Sequence, residues 1–160
     1  MKFKHDLVEL FDLKTVTANG KRFYVTPDGN RYPSVTTITG LLSKEAIQAW
    51  RKRVGEAEAN KITRAAINRG NKVHKLAEIY LNNQPIIEEE RTPLIENMFE
   101  QLMEVLDANV GSIKAIEAPL YSDSLKVGGR VDLVSEWHGT LSVIDFKPST
   151  KPKKEHWIDG

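Results

Sequence analysis

The chain has 160 residues, 40% of them hydrophobic and 28% charged, with a formal net charge of +1 and no cysteine. That is enough for one domain with a sizeable core, and no apolar run approaches the ~20 residues that span a bilayer, which excludes a helical membrane protein. The absence of cysteine excludes disulfides, thiolate metal sites and cysteine nucleophiles, so any metal must sit on His, Asp, Glu or backbone oxygen.

In chain order, Thr15–Thr17 and Arg22–Val25 flank Asn19-Gly20. Both residues of that pair tolerate positive φ, as a two-residue hairpin turn requires, so a small N-terminal β-ribbon is predicted. Asp28-Gly29 makes a second turn. Pro33-Ser34 precedes the β-branched run Val35-Thr36-Thr37-Ile38, which reads as a strand or as a short Ser-capped helix. Ser43 is read as the N-cap of a helix through Arg53. After Gly55 a long helical segment runs to about Asn83, where Gln84-Pro85 stops it. Thr92-Pro93 opens a further helix, with an apolar stripe at Ile95, Met98, Phe99, Leu102 and Leu106, and Asn109 and Gly111 end it.

Three β-segments follow, Ile113–Tyr121, Val127–Trp137 and Thr140–Phe146, with turn residues Asp123-Ser124 and His138-Gly139 between them. A helix-rich front followed by an antiparallel meander defines an α+β domain. After Phe146 the chain turns polar and basic, and Glu155-His156-Trp157-Ile158 reads as the first turn of another helix. A single domain over 1–160 is predicted: ribbon and helices over 1–110, meander over 111–147, and the start of a further helix over 153–160.

Charge is unevenly spread. Lys44–Lys75 carries nine basic residues against three acidic, whereas Glu88–Asp107 carries seven acidic residues against Arg91 alone. Two solvated helix faces of opposite sign are one reading, and a side suited to phosphates is the other.

The chemistry concentrates in the meander. A hairpin centred between His138 and Gly139 sets Asp132 opposite Asp145. Arg130 and Lys147 share that face, while Val131, Leu133, Ile144 and Phe146 occupy the other. Two carboxylates facing each other across a strand pair repel unless a cation lies between them. Replacing either by alanine is therefore expected to leave the metal-free protein as stable or more so. A hard divalent cation such as Mg²⁺ takes oxygen ligands and keeps waters for a substrate phosphate, so such a site suits phosphodiester hydrolysis. Lys147 would hold the attacking water or neutralise phosphoryl charge; the alternative is a solvated face with Lys147 as an ordinary ion-pair partner. Upstream, Gly70, His74 and Glu78 line one side of a helix. His74 is either one more ligand or a packed residue, Glu78 a supporting group or half of an ion pair, and Glu117 a further ligand, an acid–base aid or an edge residue without a role.

Gly129-Arg130-Val131-Asp132 followed by Val143-Ile144-Asp145-Phe146-Lys147 resembles motifs II and III of the PD-(D/E)XK nucleases. Arg69-Gly70 through His74 to Glu78 is similar to the G-x-x-x-H-x-x-x-E motif of their RecB-like branch. Tyr32-Pro33-Ser34-Val35-Thr36, the Trp50–Arg53 segment and Ile116-Glu117 through Lys147 further resemble the family of mitochondrial genome maintenance exonucleases and their phage relatives. The likeness covers most of residues 32 to 158.

This resemblance implies a restriction-nuclease-like core of helix, antiparallel three-strand meander, helix and final strand, preceded by a helical N-terminal part. It implies His74, Asp132, Asp145 and the Phe146 carbonyl as metal ligands and Lys147 as catalytic; with Glu117 added from its place on the first β-segment, the candidate catalytic set is Lys147, Asp132, Asp145 and Glu117, and the two-carboxylate chemistry makes Mg²⁺ or Mn²⁺ the expected ion. The chain departs from the pattern at Pro148, where relatives commonly carry Thr or a similar residue, and the family's second core helix and last strand are expected beyond Gly160. The expected activity is metal-dependent exonucleolytic hydrolysis of single-stranded DNA, with Trp50, Tyr32 and Trp157 the aromatics available for base stacking. A non-catalytic nucleic-acid-end binding module and a structure-specific endonuclease are the alternatives; metal-dependent turnover separates the first, and cutting of closed circles the second. An N-terminus bearing Asp6, Glu9 and Asp12 reads neither as a secretory signal nor as a transit peptide, so a bacterial or phage-infected cytoplasm is expected.

Overall fold

The computed structural model describes residues 2–87 and 91–152, so the helix start expected over 153–160, with Trp157, lies outside the described residues. In chain order the elements are β1 (Lys14–Ala18), β2 (Lys21–Val25), β3 (Arg31–Pro33), α1 (Val35–Val54), α2 (Glu56–Leu81), α3 (Pro93–Asn109), β4 (Val110–Ser122), β5 (Val127–Trp137) and β6 (Thr140–Ile144). They make an α+β protein with two three-stranded antiparallel sheets, β1-β2-β3 and β4-β5-β6. Among the described residues no helix is long and apolar enough to cross a membrane. The chain divides into two compact units. One contains the residues up to Val8, Thr63–Ala118 and Val131–Pro152; the other contains Glu9–Ile62 and Pro119–Arg130.

In the second of these units the predicted ribbon forms. Asn19 and Gly20 adopt φ of 52° and 73°, and the register runs from Ala18↔Lys21 to Lys14↔Val25. The Thr26 N–H donates to the Asn30 carbonyl at 2.8 Å around the second turn, and Tyr24 and Tyr32 pair across β2 and β3. Both tyrosines are buried, and the Tyr32 hydroxyl donates to Asp123 Oδ1 at 2.6 Å. That contact makes Tyr32 a packing residue. The Val35–Ile38 run is helical: the Ser34 hydroxyl accepts the Thr37 N–H at 3.1 Å and so starts α1. Ser43 is thus not a cap. It lies inside α1, where its hydroxyl donates back to the Gly40 carbonyl at 3.4 Å, because nothing between Ile38 and Ser43 breaks the helix begun at Ser34.

Gly128 shows how closely this unit packs. A Cβ there would stand 2.7 Å from Tyr24 Cβ and 2.9 Å from its Cγ. Gly128→Ala is expected to cost about 1–3 kcal/mol through overpacking, read as an earlier midpoint in denaturant unfolding. An unchanged midpoint would show that Tyr24 moves aside freely.

In the first unit α2 ends in a Schellman arrangement with Asn83 at φ 56°. The Gln84 N–H donates to the Ile79 carbonyl and the Asn83 N–H to the Tyr80 carbonyl, which satisfies the last carbonyls of the helix. The Asn83 side chain also accepts the Phe3 N–H at 2.7 Å and donates to the Phe3 carbonyl at 2.9 Å. This tethers an N-terminal segment that sequence patterning leaves unassigned. That segment runs parallel to β4, with Ile113 exchanging hydrogen bonds with Lys4 and Asp6. α3 is capped by Thr92, with Pro93 in its first turn. Its stripe buries Ile95, Phe99 and Leu106. Phe3, Ala77, Leu81, Leu106, Ile113, Leu133 and Phe146 form one cluster of the core, and Val73, Leu76, Ile95 and Phe99 another.

Candidate metal centre

The His138-Gly139 turn, at φ 50° and 79°, joins β5 to β6 through two residues. It sets the expected register, with Trp137↔Thr140 through Leu133↔Ile144 paired. β6 stops at Ile144, two residues short of the predicted end at Phe146. The reason is local: the Phe146 N–H donates to the Asp132 carboxylate, at 2.6 Å from Oδ2. A side chain takes the place of a strand partner and holds Asp132 where α2 can reach it.

α2 supplies His74. Val73, Leu76 and Ala77 are buried on its inner side, and this seats the imidazole at the inner edge of the helix, half-buried against the Phe146 ring. His74 Nδ1 lies 3.1 Å from Asp132 Oδ1. An ionised carboxylate only accepts, so the proton sits on Nδ1 and Nε2 keeps its lone pair when the ring is neutral. This is the tautomer in which an imidazole oriented by a carboxylate serves as a ligand.

β4 supplies the third group. His74, Glu117 and Asp132 each offer a ligand atom, all within 4.8 Å of one another. Glu117 stands at φ 48° within a strand. A non-glycine residue in the left-handed region carries strain of order 1–3 kcal/mol and is commonest at functional sites; here that backbone turn accompanies a carboxylate meeting the other two. No local pattern in the sequence signals a left-handed glutamate, and the role of Glu117 could therefore be read only as one of several possibilities.

Asp145 lies beside this group rather than within it. Its charge helps to raise His74, a side-chain hydrogen bond between it and Asp132 helps to lower the Asp132 carboxyl, and its own carboxylate is 2.6 Å from Lys147 Nζ. Glu78 is paired with Lys75 at 3.0 Å, the ion-pair reading of that residue. The facing aspartates were expected to need a cation between them. Asp132 is instead held by His74 and the Phe146 N–H, contacts that alanine at that position forfeits, while Asp145 rests on a half-exposed pair with Lys147; a neutral or stabilising effect is thus no longer expected at Asp132.

The hydrogen bond to Asp132 lifts the His74 pKa against the opposing effect of burial, with Asp132, Glu117 and Asp145 charges adding to it. Burial pushes Asp132 up, but the bonds from His74 and the Phe146 N–H outweigh it and hold its carboxyl below the ordinary carboxylate range. A raised histidine contributes stability that is complete below its unfolded pKa near 6.5 and is lost as pH rises through the folded value. A lowered aspartate contributes stability that is complete above its unfolded pKa near 3.9 and is lost as pH falls through the folded value. The pair therefore stabilises the metal-free protein most between about pH 4 and 6.5. Melts in EDTA should show the wild type's advantage over His74→Gln greatest in that window and shrinking as pH climbs beyond it. An advantage that grows with pH would reverse the sign.

The donor set is one imidazole nitrogen with carboxylate oxygens, which fits hard or borderline divalent ions such as Mg²⁺ and Mn²⁺.

No protein-family model matches the chain. Over 132 residues, 78% of its length, it is 27% identical to mitochondrial genome maintenance exonuclease 1 of Homo sapiens and covers 38% of that protein. Over 136 residues, again 78% of the chain, it is 29% identical to the Mus musculus protein of the same name and covers 39% of it. The chain thus spans about two fifths of the length of the curated relatives it matches.

Proposed function

We propose that the chain is a metal-dependent DNA exonuclease domain that hydrolyses phosphodiester bonds of single-stranded DNA, with Mg²⁺ or Mn²⁺ as its ion. The observation that carries this reading is the meeting of His74, Glu117 and Asp132 within 4.8 Å, with the Lys147–Asp145 pair on the adjoining strand end. The distant likeness to the two mitochondrial exonucleases supports it. So does the similarity of these residues to the PD-(D/E)XK motifs.

His74, Asp132 and Glu117 would hold the ion, joined by Asp145 and the Phe146 carbonyl as the motif resemblance implies. A bound divalent ion supplies charge neutralisation at the phosphate and an acidified water. The chain's own residues do the rest. The Phe146 N–H and His74 fix Asp132, so its carboxylate is oriented before substrate arrives. Lys147 donates hydrogen bonds to the attacking water or to a phosphoryl oxygen, where negative charge develops. The basic residues of Lys44–Lys75 provide a sequence-independent attraction for the strand, which makes binding fall steeply as salt rises.

Labelled linear and circular single strands of matched sequence, incubated with Mn²⁺, test this. Loss of the linear strand with survival of the circle is expected, because an exonuclease needs an end. Cutting of the circle would replace the reading with an endonuclease, and binding without cutting of either would replace it with a non-catalytic end-binding module. Mn²⁺ should also raise the melting temperature, since an ion that binds only the folded state stabilises it. The rise should be much smaller in His74→Ala; equal rises in the two proteins would remove His74 from the ligand set.

A further inference from the structure

α1 and α2 are separated by one residue. Gly55 stands at φ 93° and ψ 145°, and a Cβ there would meet nothing within 4 Å. Glycine is thus required by the backbone conformation and not by crowding. Apart from Ala59, which is buried, the chain on either side of Gly55 is lightly packed up to Asn68, and α2 enters the core only in its later half. No residue of α1 is buried, and in α2 every residue from Asn60 to Asn68 is exposed. What bridges the junction is a set of side-chain contacts. Arg51 Nη2 lies 2.7 Å from Glu56 Oε2, Arg51 Nε donates to the same carboxylate at 3.3 Å, and Arg51 also donates to Asn60 Oδ1. Around them is an open cleft of about 480 Å³ lined by Gln48, Arg51, Lys52, Gly55 and Glu56.

We propose that this cleft is a phosphodiester-binding site whose guanidinium is occupied by an internal anion: Glu56 holds Arg51, and a phosphate of a single-stranded nucleic acid displaces it, freeing the Gly55 junction to change angle. The fork of a guanidinium accepts a carboxylate or a phosphate in the same two-bond manner, so the two compete for one donor set. Lys52 and Arg53, in the same last turn of α1, favour a strand that brings several phosphates over the single carboxylate of Glu56. Glu56 is largely exposed, so it can leave into water. The choice of ligand rests on the function proposed above; the competition at Arg51 does not.

The chain has no cysteine, so Leu42→Cys and Ile62→Cys, both at exposed positions, give two clean spin-label sites astride Gly55. In one continuous helix they would lie about 30 Å apart, and a bend at Gly55 shortens that distance. Electron–electron double resonance in EDTA, with and without a deoxythymidine oligonucleotide, reads the junction, and fluorescence anisotropy reads binding. The oligonucleotide is expected to shift the distance distribution. Glu56→Gln should show the shifted distribution without ligand and bind several-fold more tightly, while Arg51→Ala should bind more weakly and lose the ligand-induced shift. An oligonucleotide that binds without moving the distances, or a Glu56→Gln distribution identical to wild type, overturns the latch. An oligonucleotide that does not bind overturns the ligand assigned here together with the substrate reading, while the Glu56→Gln distances still report on the internal contact.

Discussion

Asp132→Asn is expected to abolish cleavage and also to lower the melting temperature of the metal-free protein. The residue is 8% exposed, and its two carboxylate oxygens are engaged by the Phe146 N–H at 2.6 Å and by His74 at 3.1 Å. Asparagine keeps one acceptor and presents an amide to a donor, so at least one bond to a charged group is lost, at a cost of about 1.5–3 kcal/mol. Burial of the carboxylate works the other way, but the downward shift of its pKa shows that the bonds outweigh burial. With ~2–4 °C lost per kcal/mol in a domain of this size, the midpoint should fall by roughly 3–12 °C. Asp145→Asn makes the contrast. Its carboxylate is half exposed and paired with an exposed lysine, a contact worth at most about 1 kcal/mol, so its melting should hardly move while cleavage is lost. Thermal melts in EDTA and a turnover assay with Mn²⁺ check both. A metal-free Asp132→Asn protein that melts at or above wild type would restore carboxylate repulsion as the dominant effect, and wild-type turnover in it would remove Asp132 from the site.

The sequence announces those parts of the site that depend on period and turn chemistry. Asn19-Gly20 and His138-Gly139 each fix a two-residue hairpin, and the second of them carries the expected register as far as Leu133↔Ile144, one step short of Asp132 and Asp145. The capping residues Ser34 and Thr92 and the apolar stripe of α3 are equally local signals. What could not be read was long-range. The N-terminal Phe3–Val8 segment has too few residues to show a pattern, and its place beside β4 depends on Asn83, some eighty residues away. The extent of α1 was hidden because Val35–Ile38 suits strand or helix locally, and only the Ser34 hydroxyl decides between them. Neither the Phe146 N–H bond to Asp132 nor the left-handed Glu117 leaves a mark in residue type. The first is a backbone N–H meeting a side chain and the second a backbone conformation, and the group they accompany is His74, Glu117 and Asp132 rather than the pair of aspartates.

Lys147→Ala should also separate chemistry from stability. Lys147 Nζ contacts Asp145 at 2.6 Å, and both side chains are about half exposed. An exposed ion pair gains little because water solvates its partners nearly as well, and surface substitutions generally change stability by no more than about 0.5 kcal/mol. The melting temperature should therefore stay within about 2 °C of wild type, given the size scaling of unfolding entropy. Activity should not. If Lys147 donates to the attacking water or to an oxygen that gains charge on the way to the transition state, its loss removes a donor realised there, and such losses lower turnover by ~10²–10³-fold. Because the effect falls on the chemical step, strand affinity measured by anisotropy without metal should change little, while single-turnover cleavage with saturating enzyme should show the full deficit. Lys147→Arg, which keeps the charge but not the compact ammonium, should recover part of the rate. Undiminished single-turnover cleavage in Lys147→Ala would leave Lys147 as only the ion-pair partner of Asp145, whereas a deficit confined to strand binding would make it a phosphate contact outside the chemistry.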